Sequence, residues 1–442
     1  MKANAKQGKR NTAPLIAAKV NAAGVSRPLL VQATQALGAV LCMEHPADAV
    51  LSRYFREHPT LGQRDRAFVA ETIYGVLRRL RWLRRLAGAE ATPRQLLLAW
   101  LARGEGWPLR HFEDVTAPAE REWIAGLKAR EMDEGSLAER ADLPDWLVER
   151  LLYLTDEAGL LALARSLNRP APLDLRANLI KTDREALLTR LQADGIAAEA
   201  GALSPHAIRV AGKPALHKHP AFLDGSFEVQ DQGSQLLSFL VQPKRGEMVV
   251  DFCAGAGGKT LHLGAMMRST GRLYALDVSE RRLAKLKPRM ARAGLTNVHP
   301  VCIAHEHDAR IKRLVGKADR VLVDAPCSGL GTLRRNPDLK WRQSPQSVAE
   351  MVAKQGSILA AAARLVRPGG RLVYATCSLL AEENDGVVDA FLAQHPDFQA
   401  VGAQDILAKQ GIALDTGLRL RLSPANHDTD GFFAAVLERH AG

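Results

Sequence analysis

The chain has 442 residues, more than one hydrophobic core normally holds, so two or three domains are expected. Lys+Arg 60 against Asp+Glu 48 leaves a formal charge of +12, which suits a polyanionic partner without identifying one. The five cysteines, at positions 42, 253, 302, 327 and 377, include no CxxC pair and no neighbouring His at metal spacing, which excludes a disulfide framework and a zinc site; no metal is expected.

The start, Met1 to Ala23, is basic, but its apolar run is short and broken by Lys19 and Asn21. Neither a secretory signal nor a spanning helix is predicted, so a cytoplasmic, reduced compartment and no membrane partner are expected. Residues 1–26 carry five Lys/Arg and no acid and read as a disordered basic tail.

From Pro28 the apolar residues Leu29, Leu30, Ala33, Leu37, Val40 and Leu41 recur at three and four, and the same period returns at Ala49–Phe55 and Phe68–Leu86. An all-helical domain over 27–165 is predicted. Its most charged turn, Val76–Arg85, holds five arginines and no acid, a pattern that suits phosphate contact better than alternating charges would. Pro170-Ala-Pro172 marks a boundary. Beyond it Leu173–Ile180 reads as a strand, Asp183–Ala193 as a helix and Ala207–Val210 as a strand, a small α/β domain over 166–240. Residues 241–442 then alternate strand and helix, as a mostly parallel, doubly wound sheet requires. The strands are predicted at Met248–Phe252, Leu273–Leu276, Val321–Val323, Arg371–Tyr374 and Phe432–Leu437.

Two of these strands end in thiols. Val321-Leu-Val323 runs into Asp324-Ala-Pro-Cys-Ser-Gly329, and Arg371-Leu-Val-Tyr-Ala375 into Thr376-Cys377-Ser378. A free cysteine is ordinarily a small buried hydrophobe. Turn-forming surroundings just past a strand, however, face the crevice where open α/β sheets bind ligands, so a joint reactive role is expected. Val249-Val-Asp-Phe252 followed by Cys253-Ala-Gly-Ala-Gly-Gly-Lys-Thr260 is strand, glycine loop, helix. A phosphate-cradling Walker loop needs Gly where Cys253 stands, and the dinucleotide fingerprint needs Gly or Ala at Thr260. S-adenosylmethionine remains, its carboxylate at the loop and its ribose on Asp277 at the end of the second strand.

Thiols suit one methylation in particular. Carbon 5 of cytosine is a poor nucleophile until a thiolate adds at carbon 6. The charge that develops then needs a proton or hydrogen bond at N3, which a carboxyl such as Asp324, its pKa raised by desolvation, can supply. A base must later remove the carbon 5 proton so that the thiol leaves, and a second cysteine can serve there or assist release. Because a free thiol of pKa about 8.5 is barely ionised at neutrality, local activation is expected.

Val249–Thr260, Asp277-Val-Ser279, Asp324–Gly329 and Ala375–Ser378 resemble, in order and spacing, the motifs of the RNA cytosine-5 methyltransferases of the Nop/Sun type. Leu61–Phe68 and Tyr74–Arg78 look like the domain related to antitermination factor NusB, a combination similar to the small-subunit rRNA methyltransferase B group. The resemblance implies an α/β fold: a class I, Rossmann-like S-adenosylmethionine methyltransferase domain preceded by an all-helical NusB-like domain and a small α/β domain. It implies Cys377 as the attacking nucleophile and Cys327 as the release cysteine. It also places the cofactor on Cys253, Ala254, Gly255, Ala256, Gly257, Gly258, Lys259, Asp277, Asp308 and Asp324. The glycine loop departs from the usual Ala-Ala-Pro-Gly-Gly-Lys, reading Ala-Gly-Ala-Gly-Gly-Lys, but retains Gly257, Gly258 and Lys259.

The run Leu333–Arg342 follows the Pro-Cys motif, so Arg334, Arg335, Lys340 and Arg342 are placed to hold substrate phosphates; a plain basic loop is the alternative. The expected activity is formation of 5-methylcytosine in RNA, in 16S rRNA by resemblance, by a monomer. The rival is an RNA-binding assembly or antitermination factor whose methyltransferase fold has lost its chemistry, against which both cysteines, Asp324 and Lys259 speak.

Overall fold

The computed structural model describes residues 25–441, so the basic tail expected over 1–26 lies outside the described residues except for its last two. The chain divides into two compact units, one up to Glu134 and one from Gly135 onward. The first is helical, and two of its helices begin on a side-chain cap. Ser26 caps Arg27–Leu41, and Thr92 caps Pro93–Ala99 with Gln95 closing the box. Of the arginine-rich turn, Arg78 is turned into the fold against the Tyr74 ring and Arg85 pairs with Asp133, while Arg84 stays exposed.

Helices at Leu137–Ala141, Asp145–Leu152 and Glu157–Leu167 fall in the second unit, not with the preceding helices as a boundary at 165 would have it. The reason is packing: Leu147, Leu151, Leu160 and Leu167 share a core with Leu330, Leu333, Val348 and Leu380. The small sheet follows, formed by β1 (Leu173–Ala177), β2 (Ala198–Ala200), β3 (Ala207–Val210) and β4 (Phe227–Val229) in the order β2-β3-β1-β4, all antiparallel. Helix Arg184–Ala193 covers it, with Leu187 and Leu191 against Leu175, Ile208 and Phe227.

The large sheet contains β5 (Met248–Asp251), β6 (Arg272–Asp277), β7 (Val298–Cys302), β8 (Ala318–Asp324), β9 (Val366–Thr376), β10 (Phe398–Val401), β11 (Leu420–Leu422) and β12 (Phe432–Arg439). Its order is β10-β12-β9-β8-β5-β6-β7, with β11 on β12. The strands from β7 across to β9 are parallel, and β12 closes the far side antiparallel to β9. Side chains alternate as the pleat demands: Leu322, Val373 and Ala375 enter one core, Val321, Val323, Leu372 and Tyr374 the other. β7 and β10 were missing from the predicted strands, because Val298-His-Pro-Val-Cys302 and Phe398-Gln-Ala-Val401 are edge strands with little apolar run. Among the described residues no helix is long and apolar enough to cross a membrane.

Because the chain leaves β5 toward β6 on one side and returns through β8 on the other, the strand order reverses between β5 and β8. The carboxyl ends of β5, β6, β8 and β9 therefore open on one crevice. Gly331 ties together the segments after β8 and β9: its N–H donates to the Cys377 carbonyl at 2.8 Å and its own carbonyl accepts from Gly431 N–H at 2.8 Å. A Cβ there would meet Gly431 O at 2.2 Å and Cys377 O at 2.8 Å, both backbone atoms that cannot swing away. Gly331→Ala is expected to destabilise the protein by about 1–3 kcal/mol, as overpacking does. Urea unfolding checks this, and a midpoint equal to wild type would mean that the loop is not seated there.

Candidate active site

A cavity of about 560 Å³ occupies the crevice, lined by residues from all four strand ends, with Gln230 and Ser234 from the segment after β4. The loop after β5 forms one wall. Gly257 holds φ +87, and a Cβ on it would lie 2.2 Å from Leu286, so glycine is required for the turn into helix Gly258–Met266. Asp277, at the end of β6, accepts Gly255 N–H at 2.8 Å and Ser279 N–H at 2.7 Å, and Arg282 stands 3.4 Å away. The loop is also gripped from behind. Arg176 of β1 donates to the Gly258 carbonyl at 2.7 Å, and Arg289 to the Ala256 carbonyl at 2.6 Å while pairing with Glu228 of β4.

At the end of β8, Asp324 Oδ2 lies 2.6 Å from Lys259 Nζ. Burial opposes the Lys259 charge, but the Asp324 carboxylate raises the ammonium above its ordinary pKa. Asp324 therefore stands in an ion pair that offers N–H and carboxylate together. Next to it, Cys327 Sγ and Cys377 Sγ are 3.3 Å apart, both lining the cavity. The hydrogen bond to Cys377 and burial push the Cys327 thiol well up, so Cys327 resists ionisation. Burial pushes the Cys253 thiol up as well.

Sequence reading passed over Asp251, the last residue of β5. It is fully buried; Thr260 donates to its Oδ2 at 2.6 Å, while Oδ1 has no hydrogen-bond partner and the residue borders the cavity. Burial pushes its pKa up to about 7. Its signal was visible, an acid ending a strand before a glycine loop, but the alternation there marked it only as strand.

Nine of the expected cofactor positions gather here or, at Gly257, in the turn behind; Asp308 does not. It caps the turn Ala309–Leu314, accepting Ala304 N–H at 2.7 Å and Arg310 N–H at 2.8 Å, bonds that hold its carboxyl below the usual range. It shapes the wall at Ala304–Glu306 rather than lining the cavity. The four cations expected on phosphates are also elsewhere engaged. Arg334 is 3% exposed among Asp428 and Asp430, and Arg335 bridges Asp430 and Asp231 at 2.5 and 3.0 Å. Lys340, 1% exposed, donates to the Asp142 carbonyl and Asn168, and Arg342 pairs with Asp338. The apolar Leu330, Leu333 and Leu339 draw this run into the fold, and its cations take carboxylate and carbonyl partners as they are buried.

With a raised folded-state pKa, Asp251 favours folding fully below its unfolded value near 3.8 and loses that contribution as pH rises through about 7. Asp251→Asn removes the buried charge, so at pH 8 the variant is expected to be more stable than wild type by at least about 1 kcal/mol, and this advantage should shrink toward pH 4. Denaturation of the ligand-free protein across that range checks the sign; a gap independent of pH would contradict it.

Known proteins share this arrangement. Residues 238–438 match the family model described as 16S rRNA methyltransferase RsmB/F, and residues 143–217 match the ferredoxin-like domain of the same proteins. The probable ribosomal RNA small subunit methyltransferase B of Synechocystis sp. is 32% identical over 425 residues, 89% of this chain and 95% of that one. The ribosomal RNA small subunit methyltransferase B of Sodalis glossinidius is 32% identical over 404 residues, 85% of this chain and 90% of that one. The crystal structure of PH0851 superposes with a TM-score of 0.76 at 26% identity, covering 94% of this chain and 99% of that chain. Near-complete coverage at this identity, added to a strand-end crevice with paired thiols, makes this chain a member of the RsmB/F family of rRNA methyltransferases.

Proposed function

We propose that the protein uses S-adenosylmethionine to form 5-methylcytosine in 16S rRNA through a transient cysteine adduct. One observation carries the reading: two sulfurs 3.3 Å apart in the cavity that also holds the glycine loop and the Lys259–Asp324 pair. The cavity fits the cofactor chemically, with glycines permitting close approach, Asp277 at the end of β6 for a ribose, and the unpartnered oxygen of Asp251 for a cationic group. Bound there, S-adenosylmethionine supplies an electrophilic methyl group.

The chain's own residues account for the remainder. Cys377, its sulfur 3.3 Å from that of Cys327, adds as the thiolate to carbon 6 of the target base. The electron pair displaced toward N3 meets the N–H of Lys259, held in place by Asp324. While Cys377 is free, its hydrogen bond and charge keep Cys327 protonated. Bonding of Cys377 to carbon removes the largest of the influences that hold the Cys327 proton; Cys327 then releases that proton to solvent and its sulfur takes the carbon 5 proton. The electrons of that C–H bond restore the ring double bond, and the C–S bond breaks to return the Cys377 thiolate. We extend the reading to the helical N-terminal unit as an RNA-contacting module, supported by its exposed Arg84 and the chain's charge of +12.

Cys377→Ala is expected to abolish methyl transfer to undermodified 16S rRNA, while Cys327→Ala should accumulate a covalent RNA adduct visible as a retarded band on denaturing gels. Accumulation with Cys377→Ala instead would reverse the two roles. RNA binding by the wild-type protein without any transfer of labelled methyl would favour the assembly-factor reading.

A further inference from the structure

Beyond the cavity lining, one buried acid touches both thiol-bearing loops. Glu383 lies in the turn Ala381–Glu383 after β9 and is 0% exposed. Its Oε1 accepts the Ser328 N–H at 2.8 Å and Gln355 Nε2 at 3.0 Å; its Oε2 accepts the Ser328 hydroxyl at 2.5 Å and the Ser378 hydroxyl. Ser328 follows Cys327 directly and Ser378 follows Cys377. Among the described residues no cation pairs with this carboxylate; four donors satisfy it instead. The turn is fixed in place, with Tyr374 donating to the Glu383 carbonyl at 2.7 Å, Thr376 donating to Asn384 at 2.5 Å, and Asn384 donating to the Ser378 carbonyl at 3.1 Å.

We propose that Glu383 is a positioning residue for the thiol chemistry, its single carboxylate clamping the Cys327 loop to the Cys377 loop and so setting the approach of the two sulfurs. The inference rests on the two-thiol reading above and deepens it. A carboxylate is needed because two hydroxyls and an N–H converge on it: an amide would turn a donor toward at least one of them and push the loops apart. Its charge also faces the site. It stands among the causes that raise the Cys327 thiol, behind the Cys377 hydrogen bond, burial and the Cys377 charge. The clamp therefore favours Cys327 as the protonated partner, which leaves attack to Cys377.

The test is Glu383→Gln, alike in size, compared with wild type in single-turnover transfer, cofactor titration, melting, and the pH dependence of Cys327 alkylation by iodoacetamide read by mass spectrometry. The expected result is a fall in turnover of about 10- to 100-fold, the scale of a small misplacement of reacting groups. Cofactor affinity should stay within about twofold, and the Cys327 alkylation profile should move to lower pH. Ser378→Ala, which removes one arm of the clamp, should lie between the two. Wild-type turnover with an unmoved alkylation profile in Glu383→Gln would overturn the inference. So would a loss of turnover fully matched by lost cofactor affinity and melting temperature in both variants. Failure of the two-thiol reading shows separately, as wild-type protein that transfers no methyl group to RNA; the alkylation profile needs no RNA and still decides on the clamp.

Discussion

The parallel pairing of β8 with β9 is the constraint on which the site depends. Asp324 stands opposite Ala375 in that register, and the ladder continues one step beyond through Ala325 N–H to the Ala375 carbonyl at 2.8 Å. Adjacent strands run about 4.8 Å apart, so chains leaving them three and two residues later have thiols within reach before any side chain is chosen. A slip of one residue would turn Tyr374 toward the wrong core and move Cys377 away from Cys327. Five buried apolar side chains on two faces, Val321, Leu322, Val323, Leu372 and Val373, make that slip costly. The chemistry thus draws its precision from packing in strands that touch no ligand.

The small sheet acts on the same crevice from its other wall. Arg176 is buried on β1, and its pKa is pushed down to about 9, chiefly by burial. A guanidinium so placed is unfavourable unless oxygen acceptors meet it, and one it meets is the Gly258 carbonyl of the cofactor loop. Arg289 does the same for Ala256 while tied to Glu228 on β4. With these carbonyls held outward, the loop's remaining polar groups are left for the cavity. The ferredoxin-like part is therefore a brace for the loop, whatever else it contacts.

How legible this was in the sequence varied with the kind of evidence needed. Strand Ala207–Val210 appears at its predicted bounds, and the helix expected over Asp183–Ala193 runs Arg184–Ala193 with Asp183 as its cap, because apolar periods, caps and breakers are local. The crevice was equally legible, since it needs only strand ends and a glycine loop. What local pattern could not show was where charges go on burial. Arg334 and Lys340 read as a basic loop after a catalytic motif, yet their partners Asp428, Asp430, Asp142 and Asn168 are some ninety to two hundred positions distant in the chain. Asp308 likewise has partners that its spacing did not show: two backbone N–H groups hold it as a cap behind the cavity wall.

Buried charge alone therefore does not mark function here, and the contrast between two clusters shows what does. Around Arg334, Asp231, Asp428 and Asp430 form a network in which each carboxylate faces a guanidinium; that is architecture, tying the segment after Cys327 to the segment before β12. Around Lys259 the groups are as charged but differently disposed. Asp251 keeps one oxygen unpartnered, Cys327 is held as a thiol against a second sulfur, and Lys259 stays cationic by virtue of one carboxylate, all bordering open volume. Groups left incomplete next to a space are poised for something that fills it, whereas groups completed by one another are not. That difference, rather than the charge itself, separates the site from the frame that holds it.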